Sequence, residues 1–313
     1  MNDFNFYVIA LVLLGITVLL MAILKFVKWL WKYVWLPGQP QGARLAERYG
    51  LGSWVLITGA SDGLGKSFAK QLSQYGFNLI LVSRTQEKLN RLQTELAEYK
   101  VKIRTVSADL SDTSELTYTR ISEAVKDVNL SIVINCVGIT VHRRYADIPP
   151  ATLCKLLSVN VNTTSIITQI MLPLLMENTQ ASGHRCALLN VGSIVGRFYW
   201  PGTQLYGACK AFIDHLTVPL AYEYGDKLDV LSFQPTVMAT SMASGTEPAA
   251  ITISPQVAAH AALSHLGRVN QSHGHWRHAL LAALLAALPA KIRNRKFLKE
   301  ALKMGKVELA KEY

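Results

Sequence analysis

Acidic side chains are scarce in this chain: 21 Asp and Glu stand against 32 Lys and Arg over 313 residues, a formal net charge of +11. Cysteine is scarcer still, and Cys136, Cys154, Cys186 and Cys209 show no CxxC spacing, which fits reduced thiols in a cytosolic domain. No internal repeat and no low-complexity tract occurs, so a repeat architecture is excluded. The positive excess invites a nucleic-acid reading, which its location removes. Residues 25–50 carry five basic side chains against one acidic and residues 277–313 nine against three, whereas the stretch between them is almost balanced. Charge placed beside hydrophobic segments fits a protein lying against an anionic membrane face and binding no nucleic acid.

Long hydrophobic runs, by contrast, are present. Half of the residues are hydrophobic. "FYVIALVLLGITVLLMAIL", residues 6–24, is uncharged and of about the length, roughly twenty residues, that crosses a bilayer as a helix. It lacks the basic leader and small-residue cleavage site of a removable signal peptide, so a retained anchor is expected. Lys25, Lys28 and Lys32 follow it, interleaved with Trp29, Trp31 and Trp35, which predicts a cytosolic remainder. Near the other end, residues 278–292 are apolar for about twelve positions and then basic. That is short for a span; an interfacial segment and a buried helix of the globular domain are both open readings.

From residue 53 onward short apolar runs alternate with amphipathic ones, predicting strand–helix units and a doubly wound parallel sheet of the Rossmann type. The expected strands lie in "SWVLIT", "NLILVSR", "VKIRTVSADL", "LSIVINCVG", "CALLNVGS" and "LDVLSFQP". Between the first strand and its helix, Gly59, Gly63 and Gly65 let the backbone approach a pyrophosphate while the helix N-terminus directs its amides at that anion. Farther on, Tyr206 and Lys210 sit four positions apart, on one face of an expected helix, and can converge on one point.

The glycine spacing, "TGASDGLG", resembles the cofactor motif of the short-chain dehydrogenase/reductase family. "INCVG" resembles its NNAG motif, the asparagine of "VNV" at 159–161 its helix asparagine, and Ser193 with Tyr206 and Lys210 its catalytic set. The likeness runs from about residue 50 to 275. It implies a cofactor cradle of Thr58, Gly59, Ser61, Asp62, Gly63, Leu64 and Gly65, with Asp109, Asn135, Gly138, Tyr206, Lys210 and Pro235 also touching the cofactor. It further implies catalysis by Ser193, Tyr206, Lys210 and Asn160, the last holding a water that links Lys210 to solvent. Departures are Cys136 in place of the second asparagine, Pro219 inside the catalytic helix, where a kink is expected, and Thr236 after Pro235.

The second strand ends in Ser83-Arg84 with no acidic residue to accept a ribose hydroxyl, so NADPH is the expected cofactor, its 2′-phosphate held by Arg84 and Ser83. Reduction of a ketone by hydride leaves an alkoxide that needs a proton. A charge such as that of Lys210 about 5 Å from Tyr206 favours the phenolate by about 3 kcal/mol, moving the phenol toward the useful range. Ser193 would polarise the carbonyl.

Phe198, Tyr199 and Trp200 are expected to line the approach to the site, and "MATSMASG" after the sixth strand, with Met238 and Met242, to form the substrate loop; such side chains suit an apolar substrate, and the anchor points to lipid. Within the family the chain is similar to membrane-bound very-long-chain 3-oxoacyl-CoA reductases and 17-beta-hydroxysteroid dehydrogenases. The resemblance implies reduction of a 3-oxoacyl-CoA in fatty-acid elongation at the endoplasmic reticulum membrane, the catalytic domain facing the cytosol. A steroid ketone, 3-ketodihydrosphingosine, and a membrane-tethered scaffold that keeps the fold are the alternatives. Elongation enzymes and a second copy of the chain are candidate partners. His273, His275 and His278 are expected to be interfacial and to bind no metal. The expected layout is an anchor over 1–35, a reductase domain over 36–276 and a membrane-associated tail over 277–313.

Overall fold

The structure, a computed structural model, describes residues 2–240, 242 and 250–300, with side chains from Phe6 onward. The rest of the expected substrate loop and the end of the tail, residues 301–313, lie outside the described residues. Helix α1 (Asn2–Leu30) carries the apolar run; its span Phe6–Trp35 is long and apolar enough to cross a membrane, and none of its most apolar stretch is buried against the protein. A π-helical turn over Trp31–Trp35 leads to α2 (Gly42–Tyr49).

Seven parallel strands follow in the order β3-β2-β1-β4-β5-β6-β7. They are β1 (Trp54–Thr58), β2 (Asn78–Ser83), β3 (Ile103–Ser107), β4 (Leu130–Asn135), β5 (Cys186–Val191), β6 (Leu228–Phe233) and β7 (Gln271–Ser272). The helices between them are α3 (Gly63–Gln74), α4 (Gln86–Leu96), α5 (Glu115–Val125), α6 (Pro150–Leu157), α7 (Thr163–Ser182), α8 (Gln204–Glu223) and α9 (Pro255–His265), and α10 (Trp276–Ala287) follows β7. The six expected strands are present. The seventh, two residues of Gln and Ser, has no apolar pattern to announce it.

Parallel strands covered by helices on both faces are apolar at every position, and alternate side chains enter opposite layers. Val55, Ile57, Leu79 and Leu81 join one core with Phe68 and Leu72 of α3 and Leu263 of α9. Leu56, Ile80, Val82 and Val133 join the other with Ile121 of α5 and Ile167, Met171 and Leu175 of α7. Each such side chain, fully buried, contributes about 1.5–3 kcal/mol of transfer free energy.

At the end of the sheet where β6 begins, the buried Asp229 carboxylate accepts from Arg48 (2.8 Å through Nη2), Arg185 (3.0 Å) and the Tyr49 hydroxyl (2.9 Å), tying α2 to the sheet. Helix α8 runs unbroken through Pro219. That proline and His215 both lie on the exposed face of the helix. In helix α10, His278, Ala279, Ala282 and Leu285 are buried, the last two beside Ile194, while Leu280, Leu284 and, just past the helix, Leu288 are exposed. The buried face is that of a helix packed on the globular domain.

Candidate active site

The carboxyl ends of the central strands carry nearly every residue singled out above. Thr58 closes β1, and its hydroxyl accepts the N–H of Cys136 (3.0 Å) and of Val137 (3.2 Å), fastening the loop after β4 to the glycine turn. Gly59 has a left-handed φ of +66°, and a Cβ there would come within 2.9 Å of the Val137 backbone. A Cβ on Gly65 would lie 2.2 Å from the Gly59 carbonyl oxygen, so only glycine lets α3 start so close to the strand. Asp62 caps α3 by accepting from the Gly63 N–H (2.7 Å), and Leu64 is buried behind the turn. Thr240, from the loop after β6, lies over Gly63. The Ser61 and Ser83 hydroxyls are paired at 2.6 Å, and Arg84 is exposed beyond them. Asp109, just past β3, accepts from the Ser111 N–H and hydroxyl (3.0 and 2.8 Å); these bonds, with Arg84 and Lys155 nearby, hold its carboxyl below the usual range.

Asn135 ends β4 and pairs in register with Asn190 of β5. Its amide donates to Asn190 Oδ1 (2.9 Å) and Thr168 (3.2 Å), and Asn190 in turn donates to Thr217 (2.9 Å), a buried polar row. The Asn135 side-chain oxygen has no hydrogen-bond partner among the described residues. The row's other members were not foreseen; the asparagine at matching positions in adjacent strands is the signal that could have found them. Cys136, beside it, is buried enough that its thiol is pushed up to about 12 and stays protonated.

Four side chains meet on the other side of this crevice. A long helix, α6 continuing into α7, is interrupted by a π-helical turn over Ser158–Asn162, a distortion common at functional positions. Asn160 sits in it, wholly buried, with its amide donating to the carbonyls of Ile139 (2.9 Å) and Leu156 (3.0 Å) and its oxygen accepting the Ile139 N–H (3.2 Å). Lys210 is buried on α8 and donates to the Val191 carbonyl (2.8 Å). Gly138 lies where these two meet: a Cβ would be 2.9 Å from Asn160 Oδ1 and 3.4 Å from Lys210 Nζ. Ser193, after β5, lies beside the Tyr206 phenol, accepts the Val195 N–H (3.3 Å) and donates a long bond to the Pro235 carbonyl (3.4 Å). Thus Ser193, Tyr206, Lys210, Asn160 and Gly138 are brought together, with Pro235 behind the serine.

Three expectations are corrected. Burial pushes the Tyr206 phenol up to about 12, against the expected fall; Lys210 is turned to Val191 and is itself lowered to about 8 by burial. Phe198, Tyr199 and Trp200 line a cleft of about 610 Å³ together with Arg144, Gln204 and Leu298, but the α8 residues in it, Gly207, Ala208 and Ala211, lie on a different face from Tyr206 and Lys210. The cleft opens beside the catalytic group, and Trp200 stacks on Phe297 with 3.5 Å between ring centres. Finally, His273 and His278 are buried, not interfacial. His273 Nδ1 bonds the Gln234 carbonyl (3.1 Å), and His278 bridges the Thr236 N–H and the Ile251 carbonyl (3.2 Å each), pinning both ends of the loop after β6.

A glycine cradle at the first strand–helix turn and a serine–tyrosine–lysine group across the crevice coincide with a match of residues 53–250 to the family model for short chain dehydrogenases. The chain belongs to the short-chain dehydrogenase family. It is 32% identical over 246 residues to the very-long-chain 3-oxoacyl-CoA reductase of Bos taurus, covering 77% of each chain. It is 33% identical over 277 residues to the inactive hydroxysteroid dehydrogenase-like protein 1 of Homo sapiens, covering 83% of this chain and 81% of that one. Among solved structures, a short-chain dehydrogenase from Sphingobium yanoikuyae in complex with NADPH superposes with a TM-score of 0.62 at 25% identity, over 68% of this chain and 84% of that one. This short-chain dehydrogenase is therefore an oxidoreductase whose fold takes a nicotinamide dinucleotide.

Proposed function

We propose that this short-chain dehydrogenase uses NADPH to reduce a membrane-derived lipid ketone, a long-chain 3-oxoacyl-CoA, to the 3-hydroxyacyl-CoA of very-long-chain fatty-acid elongation. The observation that carries the reading is the convergence of Ser193, Tyr206 and Lys210 beside a glycine cradle in a chain similar to a reductase of that name. The cradle at Gly59–Gly65, the orphaned Asn135 oxygen and Gly138 fit a dinucleotide, with Arg84 and the Ser61–Ser83 pair as reader of a 2′-phosphate. When bound, that cofactor supplies the hydride.

The chain's own residues do the rest. Ser193 exchanges its long bond to Pro235 for one to the substrate carbonyl, orienting and polarising it. Tyr206 then donates its phenolic proton to the oxygen on which negative charge develops. Lys210 retains donors beyond the one used on Val191, and its ammonium offsets the phenolate left behind. Asn160 holds the segment around Ile139 and Gly138 against Lys210 and keeps the relay in place.

The long apolar helix α1 supports membrane attachment, for this reaction at the endoplasmic reticulum, and the lysines after it favour a domain on the cytosolic side. Likeness to a relative named inactive raises the scaffold reading; the intact Ser193–Tyr206–Lys210 group weighs against it. The test is NADPH oxidation by purified protein with long-chain 3-oxoacyl-CoA, 3-ketodihydrosphingosine and a 17-ketosteroid. Turnover of the acyl-CoA is expected; strong preference for either other ketone replaces the substrate assignment, and no turnover of any returns the scaffold.

A further inference from the structure

The segment just past the membrane helix is built into the catalytic domain. Tyr33, in the π-helical turn Trp31–Trp35, is 8% exposed although its neighbours Val34 and Trp35 are open to the outside. Its ring lies nearly parallel to that of His273, with 6.5 Å between centres and 18° between planes, and meets His265 edge-on at 5.8 Å. Its hydroxyl faces the Ser272 side chain and the His273 backbone. The surroundings fix this placement: His265 bonds the Lys32 carbonyl, Lys32 Nζ donates to the Gln271 carbonyl (2.6 Å), His260 bonds the Pro37 carbonyl (2.8 Å), and Leu36 is fully buried.

His273 in turn touches both loops of the active site. Its Nδ1 donates to the carbonyl of Gln234, the residue before Pro235. Its Nε2 lies 3.5 Å from Arg197, which closes the short turn begun by Ser193. The two loops also meet directly, through the Ile194 N–H on the Pro235 carbonyl (3.0 Å). A ring wedged between His265 and His273 therefore sets where His273 stands, and His273 sets the spacing of Ser193 and Pro235.

We propose that Tyr33 is a positioning residue for the active site, acting through His273 on the Ser193 and Pro235 loops, so that Trp31–Leu36 belongs to the catalytic apparatus while residues 2–24 serve attachment alone. The proposal rests on the oxidoreductase reading above and adds a requirement to it. The experiment uses detergent-solubilised full-length protein and three variants: Tyr33→Phe, Tyr33→Leu and a deletion of residues 2–24. NADPH affinity is read by nicotinamide fluorescence, kcat and KM with a long-chain 3-oxoacyl-CoA, and thermal midpoint alongside.

Tyr33→Leu should weaken NADPH binding and lower kcat by about 5- to 20-fold each in the folded fraction, Tyr33→Phe should restore both to within about 2-fold because the ring stack survives, and the deletion should change neither. A second reading comes from pairing Tyr33→Leu with His273→Leu: if one residue acts through the other, the double variant loses little more NADPH affinity than either single variant. A lowered thermal midpoint with unchanged affinity and kcat would make Tyr33 merely structural, and fully additive losses would remove His273 as the intermediary. Wild-type protein that binds NADPH but reduces no ketone would overturn the substrate reading and leave the affinity comparison standing.

Discussion

The Lys210 ammonium stands 5.6 Å from the centre of the Tyr206 ring and gives its hydrogen bond to the Val191 carbonyl. The pair is close enough to act together, yet the phenol is held near 12 and the lysine near 8, both by burial. Two desolvated groups that each resist charge are a suitable starting point for donating a proton, since Tyr206 holds its own until an oxyanion forms beside it.

Tyr206→Phe keeps the ring and removes that proton. Turnover should drop by at least about 100-fold while NADPH affinity and thermal midpoint stay near wild type. Lys210→Met should depress turnover and cofactor affinity together. Steady-state rates and fluorescence titration of the two variants separate these outcomes; ordinary ketone reduction by Tyr206→Phe would leave the reaction without its donor.

Arg84 is exposed at the end of β2, next to the Ser61–Ser83 pair. Arg84→Ala should cost about 1.5–3 kcal/mol of NADPH binding, roughly a 10- to 150-fold loss, and leave NADH almost untouched. The ratio of the two cofactors' kcat/KM values checks this. An unchanged ratio would move phosphate recognition elsewhere.

His265, His273 and His278 are each lowered from 6.5 to about 4 by burial. A group whose pKa is depressed in the folded state takes up its proton more readily when unfolded, so the stability linked to it is full above about pH 6.5 and declines as pH falls toward 4. The loss reaches roughly 3 kcal/mol per ring. Urea midpoints measured from pH 7.5 to 4.5 should fall steadily below 6.5. His278→Gln, which offers a donor and an acceptor but does not titrate, should flatten that decline by about a third.

Leu280 and Leu284 on the open face of α10 and Leu288 just past its end recur every four residues, with Arg277 before them and Lys291 after. In protein lacking residues 2–24, changing all three to Asn should release it from anionic vesicles, since each leucine contributes about 1.5–3 kcal/mol on burial in lipid. Sedimentation with vesicles reads the bound fraction. Equal binding by the substituted and unsubstituted forms would assign residual attachment to another surface.

What sequence alone made legible follows from locality. The six strands show because a buried parallel strand is an uninterrupted apolar run, and the glycine turn shows because its three crowded positions fall within seven residues. Tyr206 and Lys210 show because one helix carries both. The remainder depends on partners far apart in the chain. Tyr33 meets His273 across 240 residues, Asp214 crowds Gly192 and accepts from Ser232, and the histidines hold backbone groups that no side-chain pattern encodes. The Tyr206 phenol was misread because a pairwise charge argument omits the cost of burying it.

The strand order also sets a schedule for synthesis. Strand β1 lies inside the sheet, yet its second neighbour β4 starts 76 residues later, with Trp54 paired to Leu130. At about 5–20 residues per second a ribosome needs roughly 4–15 s to supply that partner. Meanwhile β1, β2 and β3 can pair among themselves, leaving the wholly apolar edge of Val55–Ile57 open. An unpaired edge of that kind is where two nascent copies can join strand to strand, before either has a finished sheet.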